Sequence, residues 1–257
     1  MDLGLNGVRV LVTGASKGLG KACARTFVEE GALVFICARN AAETQRTAEE
    51  VGASGWAAID VSKGESVGKL VADAINHLGG LDVLIANAGG PPTGPFETAG
   101  DEDWDVANQL TLMSAVRLIR ESIPALKVSG RGRILNLTGY GVKEPMTDLC
   151  VSDAVRAAVT VMAKTIATDL APYGITVNNV APGPILTDRF KEVHAARAEH
   201  AGISVEEQFA RFTRTIPVNR LGDPEEVAAL CAFLASRHSG YITGQSIVID
   251  GGINRSI

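Results

Sequence analysis

Short apolar runs rich in Val and Ile alternate along this chain with longer segments of helical periodicity. This alternation is typical of repeated βαβ units, in which a helix connects each pair of parallel strands. Several runs are apolar on both faces, as expected for strands that helices cover on each side. The sequence therefore predicts an α/β fold, a three-layer doubly wound parallel sheet (Rossmann fold) of about seven strands. The strands are predicted at residues 8–12, 33–37, 55–59, 81–86, 132–137, 176–180 and 246–249.

Segments of helical period fill the gaps between these runs. Helices are predicted at residues 21–30, 41–51, 66–78, 102–128, 151–171 and 224–235. The last has clear start signals, because Asp223 suits an N-cap and Pro224 suits the first helical position. Neither an internal repeat nor a low-complexity linker interrupts this order. We therefore expect residues 1–257 to form a single domain.

The composition limits the function classes open to such a domain. Apolar residues make up 46% of the sequence and aromatic residues only 5%, which suits close packing of helices on a parallel sheet. The net charge of -5 provides no basic surface for nucleic acid. No apolar run approaches the ~20 residues of a membrane span, and the N-terminus lacks the pattern of a signal peptide. These features predict a cytoplasmic protein that binds neither nucleic acid nor membrane.

Cysteines and histidines show no spacing that suits a metal site. The cysteines lie far apart without a CxxC pattern, so small core side chains are expected rather than ligands or disulfides. The histidines form no triad or ligand pair, and surface positions are expected for them. No metal is predicted. The residues concerned are Cys23, Cys37, Cys150, Cys231, His77, His194, His200 and His238.

A glycine-rich loop between the first predicted strand and helix has the pattern of a phosphate-binding turn. Its glycines permit a tight turn and let the backbone approach a diphosphate, while the following helix offers free N–H groups to that anion. An ordinary strand-to-helix turn is the alternative, but the position within the first βα unit favours dinucleotide binding. The residues expected to bind the cofactor here are Gly14, Ser16, Lys17, Gly18, Leu19 and Gly20.

The end of the second predicted strand indicates which dinucleotide binds. An acid at this point would hydrogen-bond a ribose 2′-hydroxyl, but residues 37–40 read Cys-Ala-Arg-Asn. Arg39, together with Lys17 of the glycine loop, can hold a 2′-phosphate through charge-assisted hydrogen bonds. A solvated surface arginine is the alternative. We therefore expect NADP(H) to be preferred, with NAD(H) as the second choice.

Over essentially its whole length the chain resembles the classical short-chain dehydrogenase/reductase family. Residues 13–20 match TGxxxGxG, 60–61 the adenine-contacting acid, 87–89 the NAG motif, 182–183 the PG motif and 250–252 the closing strand. The resemblance implies a substrate lid at residues 187–217, and a homodimer or homotetramer formed through the helices predicted at 102–128 and 151–171. It also implies further cofactor-binding residues: Asp60, Val61, Asn87, Ala88, Gly89, Arg156, Pro182, Gly183 and Thr187.

The resemblance further implies a catalytic set of Asn, Ser, and Tyr followed four residues later by Lys. In the family the phenol transfers a proton, and the lysine lowers the phenol pKa and binds the nicotinamide ribose. Counted back from Gly174, the Tyr position is Ser152 and the Lys position is Arg156; the Ser position is Gly139 and the Asn position is Thr111. The pKa of an aliphatic hydroxyl is too high for this acid role, whereas Arg156 can still donate to ribose hydroxyls. The pattern resembles an atypical branch of the family, likened to β-ketoacyl-carrier-protein reductases, that lacks the full catalytic set.

Nearby residues are candidates for replacing the missing groups. Tyr140 follows Gly139 at the carboxyl end of the fifth strand, where open α/β sheets bind ligands, and is the first candidate acid. Packing under the lid is the alternative for this tyrosine. Asn108 lies one helical turn before Thr111 and can take the place of the missing Asn, although such an Asn often binds only backbone or solvent. The candidate catalytic residues are Tyr140, Ser152, Arg156 and Asn108.

The lid segment does not indicate the charge of a substrate, because its basic and acidic residues balance. The basic residues are Arg189, Lys191, Arg197, Arg211 and Arg214, and the acidic residues are Asp188, Glu192, Glu199, Glu206 and Glu207.

Three functions fit these observations. The first is an NADP(H)-dependent oxidoreductase that acts on a carbonyl compound or secondary alcohol, with proton transfer by Tyr140, water or the substrate itself. The second is a cofactor-binding protein without hydride transfer, acting as a sensor or scaffold. The third is an enzyme of another reaction class that uses the same pocket. The retained cofactor-binding residues favour the first, since an inert scaffold would not need them.

Overall fold

Parallel strands form one sheet at the centre of the computed structural model, which describes residues 1–91 and 93–256. The strand order is β3-β2-β1-β4-β5-β6-β7. The predicted doubly wound α/β fold is therefore confirmed, and the predicted strand ends are correct to within a residue or two. The strands are β1 (Arg9–Thr13), β2 (Leu33–Ala38), β3 (Gly55–Ala58), β4 (Val83–Ala86), β5 (Arg133–Leu137), β6 (Thr176–Pro182) and β7 (Ser246–Ile249).

Helices follow the strands along the chain, and their ends carry recognisable caps. The Asn40 side chain accepts a hydrogen bond from the Glu43 N–H at the start of α2, and Thr187 does the same for Phe190 at the start of α7. The helices are α1 (Gly18–Glu29), α2 (Ala41–Val51), α3 (Gly64–Leu78), α4 (Asp101–Ala107), α5 (Ser114–Ser129), α6 (Cys150–Leu170), α7 (Asp188–Ala201), α8 (Val205–Thr213) and α9 (Pro224–Ala235).

The core lies in two apolar clusters, one on each face of the sheet. Successive strand residues point to opposite faces, so in β1 Val10 and Val12 belong to the first cluster and Leu11 to the second. Side chains of α1, α2 and α9 complete the first cluster, and those of α3, α5 and α6 complete the second. Helices, sheet and helices thus form the three layers that the sequence predicts.

The segment predicted as one helix at residues 102–128 is helical in the structure, but its middle is a π-helix rather than an α-helix. After α4 the chain forms a π-helical turn, Asn108–Met113, before α5 begins. A π-helical turn widens the helix by about one residue per turn and is frequent at functional sites. Apolar spacing alone could not locate it, because the flanking helices keep the 3.6-residue period on either side.

The topology determines where ligands can bind. β1 pairs with β2 on one side and with β4 on the other, so the strand order reverses between β1 and β4. In open α/β sheets a crevice forms at such a reversal, outside the carboxyl ends of the strands. The loops that follow β1, β2, β4, β5 and β6 all lie at this edge of the sheet.

Several expectations about composition can be compared with the structure. Cys23, Cys37 and Cys231 are buried, as predicted, and Cys150 is partly exposed. Within residues 1–91 and 93–256, no group of three His, Cys, Asp or Glu side chains is arranged to hold a metal ion. In that same part of the chain, no helix combines the length and the apolar character that a membrane crossing requires.

Candidate active site

The glycine loop joins β1 to α1, and hydrogen bonds to its carbonyl oxygens hold it in place. The Asn87 side-chain amide donates to the carbonyls of Thr13 at 3.2 Å and Gly14 at 3.1 Å. The Thr47 hydroxyl donates to the carbonyl of Ser16 at 2.9 Å. Because these bonds use carbonyl oxygens, the first N–H groups of α1, which have no partner within a helix, stay available for an anion.

Two glycines of this loop are required by the local geometry. Gly14 has a φ of +59°, and a Cβ atom at this position would lie 2.8 Å from Asn87 Nδ2. A Cβ atom on Gly20 would collide with the carbonyl oxygen of Gly14. Gly14 thus permits the turn itself, and Gly20 permits the close approach of α1 to β1.

A cleft of about 380 Å³ lies above the glycine loop and along the carboxyl ends of the central strands. Its polar groups fit a dinucleotide: backbone N–H groups and cationic side chains donate, and the Asp60 carboxylate, which accepts hydrogen bonds from the Ser62 N–H and hydroxyl, is an acceptor. Predicted cofactor residues that line the cleft are Gly14, Ser16, Lys17, Gly18, Leu19, Arg39, Asp60, Val61, Asn87, Ala88, Gly89, Arg156 and Thr187. Gly20 lies behind the loop, while Pro182 and Gly183 line the neighbouring cavity. A cofactor contact stays a prediction for every one of these residues.

The end of the cleft beyond β2 carries the charges expected for a 2′-phosphate. Arg39 and Lys17 are both exposed there, and neither forms a salt bridge with another described residue. Glu43 lies in the same lining and opposes them with one negative charge. Two cations against one acid leave this end of the cleft positive.

A second cavity of about 280 Å³ adjoins the cleft. It lies between the β5–α6 connection and α7, the first helix of the predicted lid. The two spaces share a wall, meaning that the same six residues line both, so ligands in the two spaces would be neighbours. The shared lining residues are Leu19, Gly90, Thr138, Arg156, Thr187 and Arg189.

Arg156 and Ser152, which stand at the predicted Lys and Tyr positions, lie one turn apart on α6 and contact each other. Arg156 Nη1 donates to the carbonyl oxygen of Thr138 at 2.6 Å, and its Nε donates to Ser152 Oγ at 3.2 Å. Burial lowers the pKa of Arg156, but a guanidinium stays protonated in a protein. The structure therefore brings a cation to the shared wall, held by neutral oxygens rather than by a carboxylate.

Tyr140 also lines the second cavity, and its hydroxyl forms a hydrogen bond within the protein. It donates to the Met146 sulfur at 2.8 Å, and a thioether is a weak acceptor. Burial raises the pKa of Tyr140, and Asp153 raises it further while Arg197 opposes this. The phenol is therefore neutral at pH 7 and available as a hydrogen-bond donor.

Asp153 lies beside these residues and was missed by the sequence analysis. Its carboxylate accepts a hydrogen bond from the Met146 N–H at 3.0 Å and packs against Gly141, where a Cβ atom would collide with it. Burial raises the pKa of Asp153. An acid in the first turn of a helix is usually explained by the helix dipole, so no sequence signal set it apart.

His194 of α7 contradicts the expectation that every histidine lies at the surface. Its residue exposure is only 2%, because its ring stacks on Phe190 at 4.1 Å and meets Phe212 edge-on at 4.5 Å. Burial, reinforced by Arg197, lowers the pKa of His194 to about 4. The ring is neutral at pH 7 and extends the apolar wall of the second cavity. In the sequence, only its spacing of four residues from Phe190 indicated that the two rings share one face of α7.

The remaining predicted positions lie near the site but not all within it. Thr111 lines a small space of about 20 Å³ beside Arg156, and Gly139 lines the second cavity. Asn108 belongs to the π-helical turn but is not among the lining residues of either larger space. Its proposed replacement of the missing Asn stays a prediction.

Comparisons with known proteins agree with this geometry. A family model described as enoyl-(acyl carrier protein) reductase matches residues 14–254. The chain is 32% identical over 252 residues to 3-oxoacyl-[acyl-carrier-protein] reductase FabG of Vibrio cholerae, covering 98% of this chain and 99% of that protein. The chain belongs to the classical short-chain dehydrogenase/reductase family.

Solved structures of this family superpose closely on the chain. L-sorbose reductase from Gluconobacter frateurii, complexed with NADPH and L-sorbose, is 29% identical with a TM-score of 0.95 and full coverage of both chains. A variant of actinorhodin polyketide ketoreductase solved with NADPH is 32% identical with a TM-score of 0.91, covering 96% of this chain and 97% of that one. The family assignment that the motifs indicated is therefore confirmed.

Proposed function

We propose that the chain is an NADP(H)-dependent reductase that acts on a carbonyl compound or secondary alcohol through a non-standard catalytic site. The observation that carries this proposal is the wall shared by the cofactor cleft and the second cavity. A reduced nicotinamide, when bound in the cleft, would supply a hydride, and the residues lining both spaces would hold a carbonyl compound in the neighbouring cavity beside it. Family membership supports the same reaction class.

The choice of NADP(H) rests on the positive end of the cleft. Arg39 and Lys17 provide charge-assisted bonds for a 2′-phosphate, and Asp60 suits the adenine side. Two structural relatives were solved with NADPH, which is consistent with this choice. L-sorbose reductase was solved with L-sorbose as well, which supports a small-molecule carbonyl substrate for this chain.

The proton step is assigned to Tyr140. In reduction the carbonyl oxygen gains charge, and a neutral phenol that lines the cavity can donate to that oxygen after it leaves Met146. Arg156 stabilises the same negative charge from the shared wall. Ser152 contributes by holding the Arg156 guanidinium through Nε. In this proposal Tyr140 takes the proton-transfer role of the family's Tyr, and Arg156 provides the positive charge of the family's Lys.

This assignment places the chain in an atypical branch of the family, without the Asn-Ser-Tyr-Lys set. We also propose a homo-oligomer, a dimer or tetramer, through α5 and α6. Val161 of α6 is 67% exposed, which suits burial against a second copy of the chain.

The test begins with purified protein and NADPH. Binding is followed by fluorescence of the reduced nicotinamide, and its oxidation is followed by absorbance against a panel of carbonyl compounds. We expect wild-type protein to bind and oxidise NADPH. Tyr140→Phe should bind it with unchanged affinity but oxidise it at least about a hundredfold more slowly.

Tyr241→Phe is the matched control, because Tyr241 is fully exposed and lies outside both lining sets. Rapid oxidation by Tyr140→Phe would remove the phenol from the mechanism. Binding without oxidation would favour a sensor or an enzyme of another reaction class. Absence of NADPH binding would refute the cofactor assignment itself.

A further inference from the structure

Charged side chains are unevenly distributed around the second cavity. The lid sequence has equal numbers of basic and acidic residues, yet Arg189 and Arg197 line this cavity and none of the lid's acidic residues does so in the described part of the chain. Asp188 faces the cofactor cleft instead. The fold therefore turns basic lid residues toward the substrate space, although the chain as a whole carries a net charge of -5.

Part of this positive charge is already neutralised inside the protein. Arg197 forms a salt bridge with Asp148, and Asp153 supplies one negative charge from α6. His194 adds no charge, because its lowered pKa keeps the ring neutral. Arg156 and Arg189 then remain as the cations that face the cavity without a salt bridge to any described residue.

Few contacts within the protein stabilise the Arg189 guanidinium in its position. It lies in the first turn of α7, where the helix dipole opposes a cation. Its one hydrogen bond among the described residues is a long contact of 3.4 Å to the Pro91 carbonyl oxygen. A guanidinium so placed gains most from an anionic ligand, which it binds through two parallel hydrogen bonds.

The cavity also limits the size and polarity of the rest of the ligand. Its volume of about 280 Å³ lies at the small end for small-molecule sites. Phe190, Phe212 and the neutral His194 ring add an apolar surface to the same lining. A compact molecule with one anionic end and one short apolar end fits both surfaces.

We propose that the substrates are small carbonyl compounds bearing a carboxylate, and that Arg189 binds the carboxylate while Arg156 binds the carbonyl oxygen. This inference rests on the proposed reductase function and specifies its substrate class. With the reduced nicotinamide bound, the carbonyl carbon would accept its hydride, the C=O π electrons would move to oxygen, and that oxygen would take the Tyr140 phenol proton, which solvent then replaces. The oxo acid is reduced by two electrons to a hydroxy acid, and the dinucleotide is oxidised by two.

The test measures binding without turnover, using protein saturated with the oxidised dinucleotide. The probes are 2-oxobutanoate and its methyl ester, which have the same carbonyl but differ in charge. We expect calorimetry to show wild-type protein binding the acid at least about tenfold more tightly than the ester. Arg189→Gln should lose this preference by weakening acid binding alone.

Arg214→Gln is the matched control, because Arg214 is an exposed lid arginine outside the cavity lining. This variant should keep the full preference for the acid. Equal binding of acid and ester by wild type, binding of neither, or equal weakening of both by Arg189→Gln would each overturn the inference. Tighter binding of dihydroxyacetone phosphate than of 2-oxobutanoate would replace carboxylate by phosphate as the recognised group.

An oxidation assay separates this inference from the reductase function. If NADPH is oxidised with L-sorbose or the ester but the acid is not preferred, the reductase function stands and the carboxylate inference falls. If acid binding is selective and depends on Arg189 while no carbonyl compound oxidises NADPH, the carboxylate site stands and the reductase function falls.

Discussion

The cofactor cleft and the second cavity adjoin each other but are built in different ways. Much of the cleft consists of backbone: the glycine loop, the first turn of α1 and the chain after β4. The second cavity has several glycines in its lining too, but its polar and aromatic groups are side chains, mainly from α6, α7 and the loop after β5. A backbone site leaves its mark in the sequence as glycines at fixed spacing, because few other residues adopt the required conformations. A side-chain site leaves no comparable pattern.

This difference explains where the chain follows its family and where it departs. In the cleft, Asn87 bonds the carbonyls of the glycine loop, so replacing it would disturb the loop as well as the ligand. In the cavity, Ser152 and Arg156 stand at the positions predicted for the family's Tyr and Lys, on α6, which packs on the sheet. The proposed change of catalytic side chains therefore needs no change in the fold or in the cofactor cleft.

The largest expected effect tests whether the cleft depends on backbone. Gly14→Ala should weaken NADPH binding by more than about a hundredfold, because the new Cβ meets Asn87 at 2.8 Å and the φ of +59° disfavours a side chain. Fluorescence titration with NADPH measures the loss. Gly79→Ala is the control: it has a φ of +73° but no atom within 4 Å of the new Cβ.

The control variant should lose about 1–2 kcal/mol of folding free energy from its backbone conformation and keep its NADPH affinity. If both variants bind NADPH equally well, the close contact with Asn87 does not govern the loop. That result would contradict the view that backbone conformation determines NADPH binding in the cleft.

A smaller effect is expected at the end of the cleft beyond β2, where the Arg39 and Lys17 side chains provide the positive charge. Arg39→Asp should weaken NADPH binding about ten- to a hundredfold and leave NADH binding unchanged or improved, because the 2′-phosphate then meets a second acid besides Glu43. Arg46→Asp on α2 makes the same charge change outside the cleft. An unchanged ratio of the two affinities in Arg39→Asp would exclude Arg39 from cofactor selection.

The sequence predicted the fold well because strand and helix periods are local properties. The glycine loop was predicted from its pattern and place in the first βα unit, and Asp60 and Asn87 were implied by the family resemblance; all of them lie at the ligand edge and line the cleft. The sequence could not place the π-helical turn, the Tyr140–Met146 contact or the burial of His194. Those features depend on which side chains meet across distant segments. The balanced lid charges show the same limit, because only the fold determines which of them face inward.

The smallest expected effect concerns the pH dependence of the side-chain cavity. The pKa of His194 falls from its usual 6.5 to about 4 in the folded protein, mainly through burial, with Arg197 lowering it and Asp148 opposing. Between these values the unfolded chain binds more protons than the folded one, so the free energy of unfolding rises with pH across this window. Acidification from pH 7 to 5 should therefore cost on the order of 1–2 kcal/mol through His194.

His194→Phe removes this titration while keeping an aromatic ring against Phe190, so its unfolding free energy should depend less on pH than that of wild type. Urea unfolding at pH 7 and pH 5 measures the two changes. His200→Phe, on the exposed side of the same helix, should keep the wild-type pH dependence. The cleft contains no buried histidine among its described lining residues, so NADPH affinity in His194→Phe should match wild type at pH 7. Parallel pH profiles for wild type and His194→Phe would mean that water reaches the His194 ring, and the aromatic wall of the cavity would then be open rather than packed.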